Sequence, residues 1–84
     1  MSKIKIDLHP IYNDSKKILA ALENGVNDCV SKNIKTLEII PGKGSGKLKE
    51  KVIRFLQQKH IKNQYHRLDK DSKNHGRIFV YFKH

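Results

Sequence analysis

The hydrophobic periodicity of the first forty residues changes from two to about 3.6 and back again, and this change constrains the fold more than any other feature. Residues 3–8 (KIKIDL) alternate between apolar and polar side chains, which is typical of a half-buried strand. Apolar residues then recur at helical spacing over roughly residues 14–32, with Asn33 at the end. Residues 35–40 return to a strand pattern. A strand–helix–strand unit of this kind is most simply right-handed, with its two strands parallel.

The second half of the chain continues with one more helix and two more strands. The apolar spacing predicts a helix over about residues 46–59, a weaker strand over residues 61–68 and a strong strand over residues 77–82 (RIFVYF). The last strand is apolar on both faces, which favours a central position in the sheet. The order βαβαββ predicts an α/β domain of the α+β two-layer type, a four-stranded mixed sheet with two helices, in one domain over residues 1–84.

Length and cysteine content limit the kind of site that the chain can hold. A chain of 84 residues is short for enclosing a deep cavity, so a surface site is expected and a small-molecule cofactor is not. Cys29 is the only cysteine, which excludes a disulfide framework and fits a reducing compartment. The N-terminus does not resemble a signal peptide, and no apolar run is long enough to span a membrane. These features predict a soluble, cytoplasmic protein, expected to be a monomer.

The charge of the chain is strongly positive and unevenly distributed. The formal net charge is +10, with a balance of +1 over residues 1–40 and +9 over residues 41–84. An excess concentrated in one half points to a polyanionic partner, with nucleic acid as the first candidate and an anionic membrane surface as the second. A lysine-rich surface that serves only solubility is the alternative.

A glycine-rich stretch, PGKGSGKLKE (residues 41–50), separates the second predicted strand from the second predicted helix. It matches neither the Walker A pattern nor the dinucleotide-binding fingerprint. Its three glycines allow backbone N–H groups to approach a ligand closely, the following helix contributes its positive N-terminal end, and Lys43 and Lys47 add charge. The stretch therefore predicts a phosphate site for a nucleic-acid backbone, with Ser45 as a helix cap or phosphate contact. The alternative is a turn whose glycines only cap the helix.

Asp7 and His9 follow the first strand and lie two residues apart, so both point to the same face if the strand persists. A carboxylate can bind a divalent ion or orient an imidazole, and a histidine can transfer a proton near neutral pH. A surface aspartate and a turn histidine would explain the pair equally well. Because the first two strands are predicted to be parallel, both DLHP and the glycine loop should leave the sheet at the same edge, where open α/β sheets bind ligands.

Three motifs together resemble those of the Smr (small MutS-related) domain family. They are IDLHP at residues 6–10, PGKGSGKLK at residues 41–49 and HGRIFVYF at residues 75–82. The resemblance covers essentially the whole chain and implies a nucleic-acid-binding domain that often acts as a metal-dependent endonuclease, nicking DNA or cleaving RNA. It implies that Asp7 and His9 are catalytic and that Asp7 holds the ion, with Mg²⁺ or Mn²⁺ expected. Two positions depart from the family pattern: Pro10 replaces a glycine and Pro41 replaces a histidine.

The motifs and the charge leave three functional hypotheses open. The first is an Smr-type nuclease, and the second is a module that binds DNA or RNA without cleaving it, using the lysines of the loop together with Lys49, Lys51 and Arg54. The third is an interaction domain that contacts ribosomes or another protein. The sequence shows no aromatic platform and no base-reading helix, so it does not choose between DNA and RNA. The predicted nucleic-acid contacts are Gly42, Lys43, Gly44, Ser45, Gly46, Lys47, Lys49 and Arg77.

Overall fold

Four strands form one sheet, and helical segments connect them. The structure is a computed structural model that describes residues 3–41, 46–69 and 77–82. The strands are β1 (Lys3–Asp7), β2 (Thr36–Ile40), β3 (Arg67–Asp69) and β4 (Ile78–Tyr81). A 3₁₀ turn (His9–Ile11) precedes helix α1 (Ser15–Ser31), and helices α2 (Lys47–Leu56) and α3 (Lys59–Lys62) lie between β2 and β3.

The sheet is mixed, with the strand order β1-β2-β4-β3. β1 and β2 are parallel, with Lys3 opposite Thr36 and Asp7 opposite Ile40, whereas β4 is antiparallel to both of its neighbours. The predicted parallel pair, the central position of the last strand and the α+β class with a four-stranded mixed sheet are all confirmed.

The segment between α2 and β3 differs from the prediction of a strand over residues 61–68. Residues 59–62 form the one-turn helix α3, and β3 begins only at Arg67. Ile61 and Tyr65 are both buried, and their spacing of four residues is helical rather than alternating. The Tyr65 hydroxyl donates a hydrogen bond of 2.8 Å to the carbonyl of Leu56, the last residue of α2. The chain therefore folds back against the end of α2 before it enters the sheet.

Both ends of α1 follow from local sequence. The carboxylate of Asp14 accepts a hydrogen bond from the N–H of Lys17 at 3.2 Å, which caps the first turn. At the other end Asn33 has a positive φ of 56°, and the N–H of Ile34 donates to the carbonyl of Cys29 at 2.9 Å. This is the Schellman arrangement, in which asparagine can replace the more common glycine. The predicted end of the helix at Asn33 is confirmed.

Helix α1 packs closely on the sheet, and Gly25 is what permits this approach. A Cβ atom at Gly25 would collide with Cδ1 of Ile6 and lie 3.3 Å from Cδ1 of Leu37. The core also contains Val52, Phe55 and Leu56 of α2 and Ile78 and Val80 of β4. Both long helices therefore cover the same face of the sheet.

Cys29 is buried within this core, and the loss of solvent there raises the pKa of its thiol to about 11, so the thiol stays protonated. Within residues 3–41, 46–69 and 77–82, the helices are too short or too polar to cross a bilayer.

Candidate functional site

The ends of β1 and β2 and the beginning of β4 meet at one edge of the sheet. The N–H of Leu8, just after β1, donates to the carbonyl of Ile40, the last residue of β2, at 2.9 Å. Because β4 is antiparallel to β2 and Ile78 pairs with Ile39, Arg77 enters the sheet at this same edge. The expected proximity of the DLHP segment and the start of the glycine loop is confirmed up to Pro41. We call this region, built by residues 7–12, 40–41, 46–49 and 77, the active edge.

Asp7 and His9 do not share a strand face, because β1 ends at Asp7. The side chain of Leu8 is fully buried, and the chain then turns into the 3₁₀ segment. The carboxylate of Asp7 accepts a hydrogen bond of 3.0 Å from the backbone N–H of His9. The carboxylate therefore fixes the backbone of the turn that carries His9, and both side chains remain exposed.

Pro10 fits this turn without the loss of a needed hydrogen bond. It lies in the first turn of the 3₁₀ segment, where a backbone N–H would have no intrahelical partner. The N–H of Ile11 donates to Leu8 and that of Asp14 donates to Ile11, each at 3.0 Å. At the end of the turn, Tyr12 is 66% exposed, and its ring lies 6.4 Å from the His9 ring with 29° between the planes.

The structure describes the glycine loop at its two ends. Pro41 is buried and Gly46 is exposed, whereas Gly42, Lys43, Gly44 and Ser45 lie outside the described residues, so the structure adds nothing to the predictions for those four. Gly46 is the N-cap of α2 and has a φ of 85°, a left-handed conformation that favours glycine.

A side-chain hydrogen bond links the first turn of α1 to α2 near the active edge. The ammonium group of Lys51 donates a hydrogen bond of 2.8 Å to the hydroxyl of Ser15, the first residue of α1. Lys47 is exposed and Lys49 is half-buried, and both belong to the first turn of α2. Arg54 belongs to the last turn of α2, away from the edge. The N-terminal end of α2 and these two lysines thus place positive charge at this edge, with Glu50 as the acid in the same turn.

The predicted site residue Arg77 pairs with a buried acid that the sequence analysis did not single out. Glu38 on β2 is fully buried, and its carboxylate pairs with Arg77 through one oxygen and with Lys3 through the other. The hydrogen bond from Lys3 lowers the pKa of Glu38; burial opposes this effect, and the charges of Lys3 and Arg77 add to it. Part of the charge of Arg77 is thereby compensated within the protein. Glu38 lies within the otherwise apolar strand TLEII, and an acid in that position was the sequence signal for a buried ion pair.

The sheet face opposite the helices carries two neighbouring aromatic rings. Phe79 and Tyr81 have ring centroids 6.5 Å apart with 17° between their planes, and the guanidinium of Arg67 lies 5.0 Å from the centroid of Tyr81. Both rings are half-buried. No aromatic platform was evident from the sequence, although Phe79 and Tyr81 alternate with the buried residues of β4.

Within the described ranges, the active edge offers only part of a coordination shell for a divalent ion. The described residues contain no group of three or more His, Cys, Asp or Glu side chains that could hold a metal. Asp7 provides a single carboxylate, one oxygen of which already accepts the N–H of His9. Mg²⁺ is commonly held by one or two carboxylates together with phosphate oxygens of a substrate. Asp7 fits this kind of shared site, in which phosphate oxygens of the substrate complete the coordination.

Comparisons with known proteins found a matching family model and a solved structure of the same fold. The family model of the Smr domain matches residues 6–83. No curated protein matches the sequence. Among solved structures, the chain is similar to the Smr domain of Thermus thermophilus MutS2, with a TM-score of 0.74 and 14% sequence identity over 99% of each chain. At this identity the structural similarity establishes the fold.

Proposed function

This chain belongs to the Smr domain family, and from that premise we propose that its active edge binds the phosphate backbone of a nucleic acid and cleaves it by phosphodiester hydrolysis. The observation that carries the proposal is the hydrogen bond from the N–H of Leu8 to the carbonyl of Ile40. It brings the turn that carries His9 next to the strand end from which the glycine loop departs. A group for proton transfer and a surface for anion binding are thereby adjacent.

Binding is assigned to the N-terminal turn of α2 and its lysines. Backbone N–H groups at a helix start and the helix dipole both favour an anion, and Gly46 has no side chain that could occupy that position. Lys47 and Lys49 add two positive charges within the same turn. A site of this kind recognises phosphate and carries no sequence information.

Cleavage is assigned to His9. Hydrolysis joins a water oxygen to the phosphorus and breaks the bond from phosphorus to one of the ester oxygens, which leaves as an alcohol. One proton leaves the attacking water and one is gained by the departing oxygen, and an exposed imidazole at the edge is the group suited to transfer them. Asp7 acts on the position of His9 through the backbone hydrogen bond of 3.0 Å.

The carboxylate of Asp7 is also the proposed ligand for Mg²⁺ or Mn²⁺. When bound beside a phosphate, such an ion would neutralise charge on the phosphate oxygens and acidify a coordinated water.

A second candidate function is nucleic-acid binding without cleavage, and Pro41 favours it. At this position the family resemblance implies a histidine, and the buried proline offers no group for proton transfer. The contacts assigned to Lys47 and Lys49 do not depend on that position, so binding would persist.

The salt dependence of binding tests the assigned anion site. Log affinity falls as log salt rises. We expect Lys47→Ala to make this negative slope shallower by about 0.9 on duplex DNA, because one phosphate contact is lost. Lys62→Ala, which removes an exposed lysine on α3, is the matched control and should leave the slope unchanged. Fluorescence anisotropy with a labelled oligonucleotide over a salt series measures both. Equal slopes for both variants and the unaltered protein would rule out Lys47 as a phosphate contact, and no binding of the oligonucleotide at any salt concentration would favour a protein partner.

A further inference from the structure

Tyr12 presents an aromatic ring to solvent at the active edge. Its side chain is 66% exposed, the highest value among the exposed large hydrophobic residues of the described chain, where Leu19 and Val30 follow at 41% and 39%. We propose that Tyr12 stacks on an unpaired nucleobase beside the phosphate bound at this edge, so that the preferred ligand is a nucleic acid with an unpaired base there. This inference rests on the proposed function and adds the class of ligand.

The backbone that carries the ring is held by the surrounding turn. The carboxylate of Asp7 holds the N–H of His9, and the bonds from Ile11 to Leu8 and from Asp14 to Ile11 close the two successive turns around Tyr12. Pro10 restricts the backbone further. Because the backbone is already ordered, ligand binding has only the side chain of Tyr12 to immobilise, which favours its use as a contact.

The surroundings of Tyr12 distinguish it from an ordinary exposed tyrosine, which by itself would need no explanation. Its ring lies 6.4 Å from that of His9, the residue assigned to act on the phosphate. It also precedes the first turn of α1, which the hydrogen bond from Lys51 to Ser15 joins to α2. A nucleotide whose phosphate lies beside His9 would therefore have its base within reach of the Tyr12 ring.

Base pairing decides which nucleic acids can use this contact. In a duplex both faces of a base are covered by its neighbours, so stacking on a protein ring requires an unpaired or extruded base. Every nucleobase has a π-face, so stacking tolerates any sequence. Unpaired bases occur in RNA loops and in single-stranded DNA, and both offer the same chemistry to Tyr12.

Binding of single strands and duplexes by Tyr12 variants tests the inference. The probes are a labelled single-stranded RNA, a single-stranded DNA of the same sequence and the corresponding blunt duplexes. We expect Tyr12→Ala to weaken binding of single strands roughly 5- to 150-fold, the range of one lost base–aromatic stack, and to change duplex binding less than twofold. Tyr12→Phe keeps the ring and should bind single strands like the unaltered protein.

The possible outcomes separate this inference from the proposed function. Equal affinity of Tyr12→Ala and the unaltered protein for single strands would overturn the inference and leave the proposed function intact. A loss of the same size on duplexes would also overturn it, because the contribution of Tyr12 would then not depend on an unpaired base. If the unaltered protein binds none of the probes, both the inference and the proposed function fail. A loss confined to one single-stranded probe would identify RNA or DNA as the source of the base.

Discussion

Replacing His9 with alanine is expected to slow cleavage of supercoiled plasmid or structured RNA by about 10²- to 10⁴-fold, the usual contribution of a positioned general acid or base. The substitution removes the imidazole and keeps the backbone N–H that bonds to Asp7 at 3.0 Å, so the turn should persist. Rates are measured with Mg²⁺ or Mn²⁺ present. Binding of the same substrates should change much less than the rate, because the contacts with phosphate are assigned to α2.

His60→Ala is the matched control for this prediction. His60 is also exposed, but it belongs to α3, and only its backbone carbonyl has a described hydrogen bond, accepted from the side chain of Gln64. Its loss should leave the cleavage rate unchanged. If His9→Ala cleaves as fast as the unaltered protein, the assignment of His9 to proton transfer is wrong. If the unaltered protein binds nucleic acid but does not cleave it, the second candidate function is correct.

Replacing Leu37 with alanine is expected to lower the free energy of unfolding by roughly 2–5 kcal/mol. Leu37 is fully buried on β2, which pairs with both β1 and β4, and its side chain lies under the glycine at which α1 approaches the sheet. The cost combines lost burial with the cavity that remains. A domain of 84 residues has a total stability on the order of 4–12 kcal/mol, so the change is a large fraction of it.

Leu19→Ala provides the same substitution at an exposed position. Leu19 lies on α1 and is 41% exposed, so its replacement should change the stability by no more than about 0.5 kcal/mol. Urea unfolding followed by circular dichroism measures both variants. Equal losses for the two leucines would contradict the placement of β2 at the centre of the core.

The fold could be predicted from the sequence wherever one periodicity dominates a segment. Apolar and polar residues alternate over residues 3–8, and apolar residues have helical spacing over residues 14–32. The parallel strand pair and its crossover helix follow from these two patterns. The segment after α2 could not be assigned in this way, because Ile61 and Tyr65 have helical spacing in a stretch too short to form a long helix. Its conformation depends on the contact of Tyr65 with Leu56, which is tertiary.

The candidate site was predictable in its location but not in its internal contacts. Parallel pairing of β1 and β2 requires that Asp7 and the glycine loop leave the same edge, and the structure shows that edge as far as Pro41. That β1 would end at Asp7 was not predictable from alternation alone, since Leu8 continues the apolar pattern. The pairing of Arg77 with Glu38 depends on the register between β2 and β4, which no local pattern encodes.

The central claim is that nucleic acid binds at the active edge, and amide chemical shifts test it most directly. The protein has a mass of 9.8 kDa, so its ¹⁵N–¹H spectrum can be followed while an oligonucleotide is added. The largest shifts are predicted for the amides of His9, Ile11, Gly46 and Lys47. If these amides do not move while those of α3 and the C-terminal end of α1 do, nucleic acid binds elsewhere and the claim is wrong.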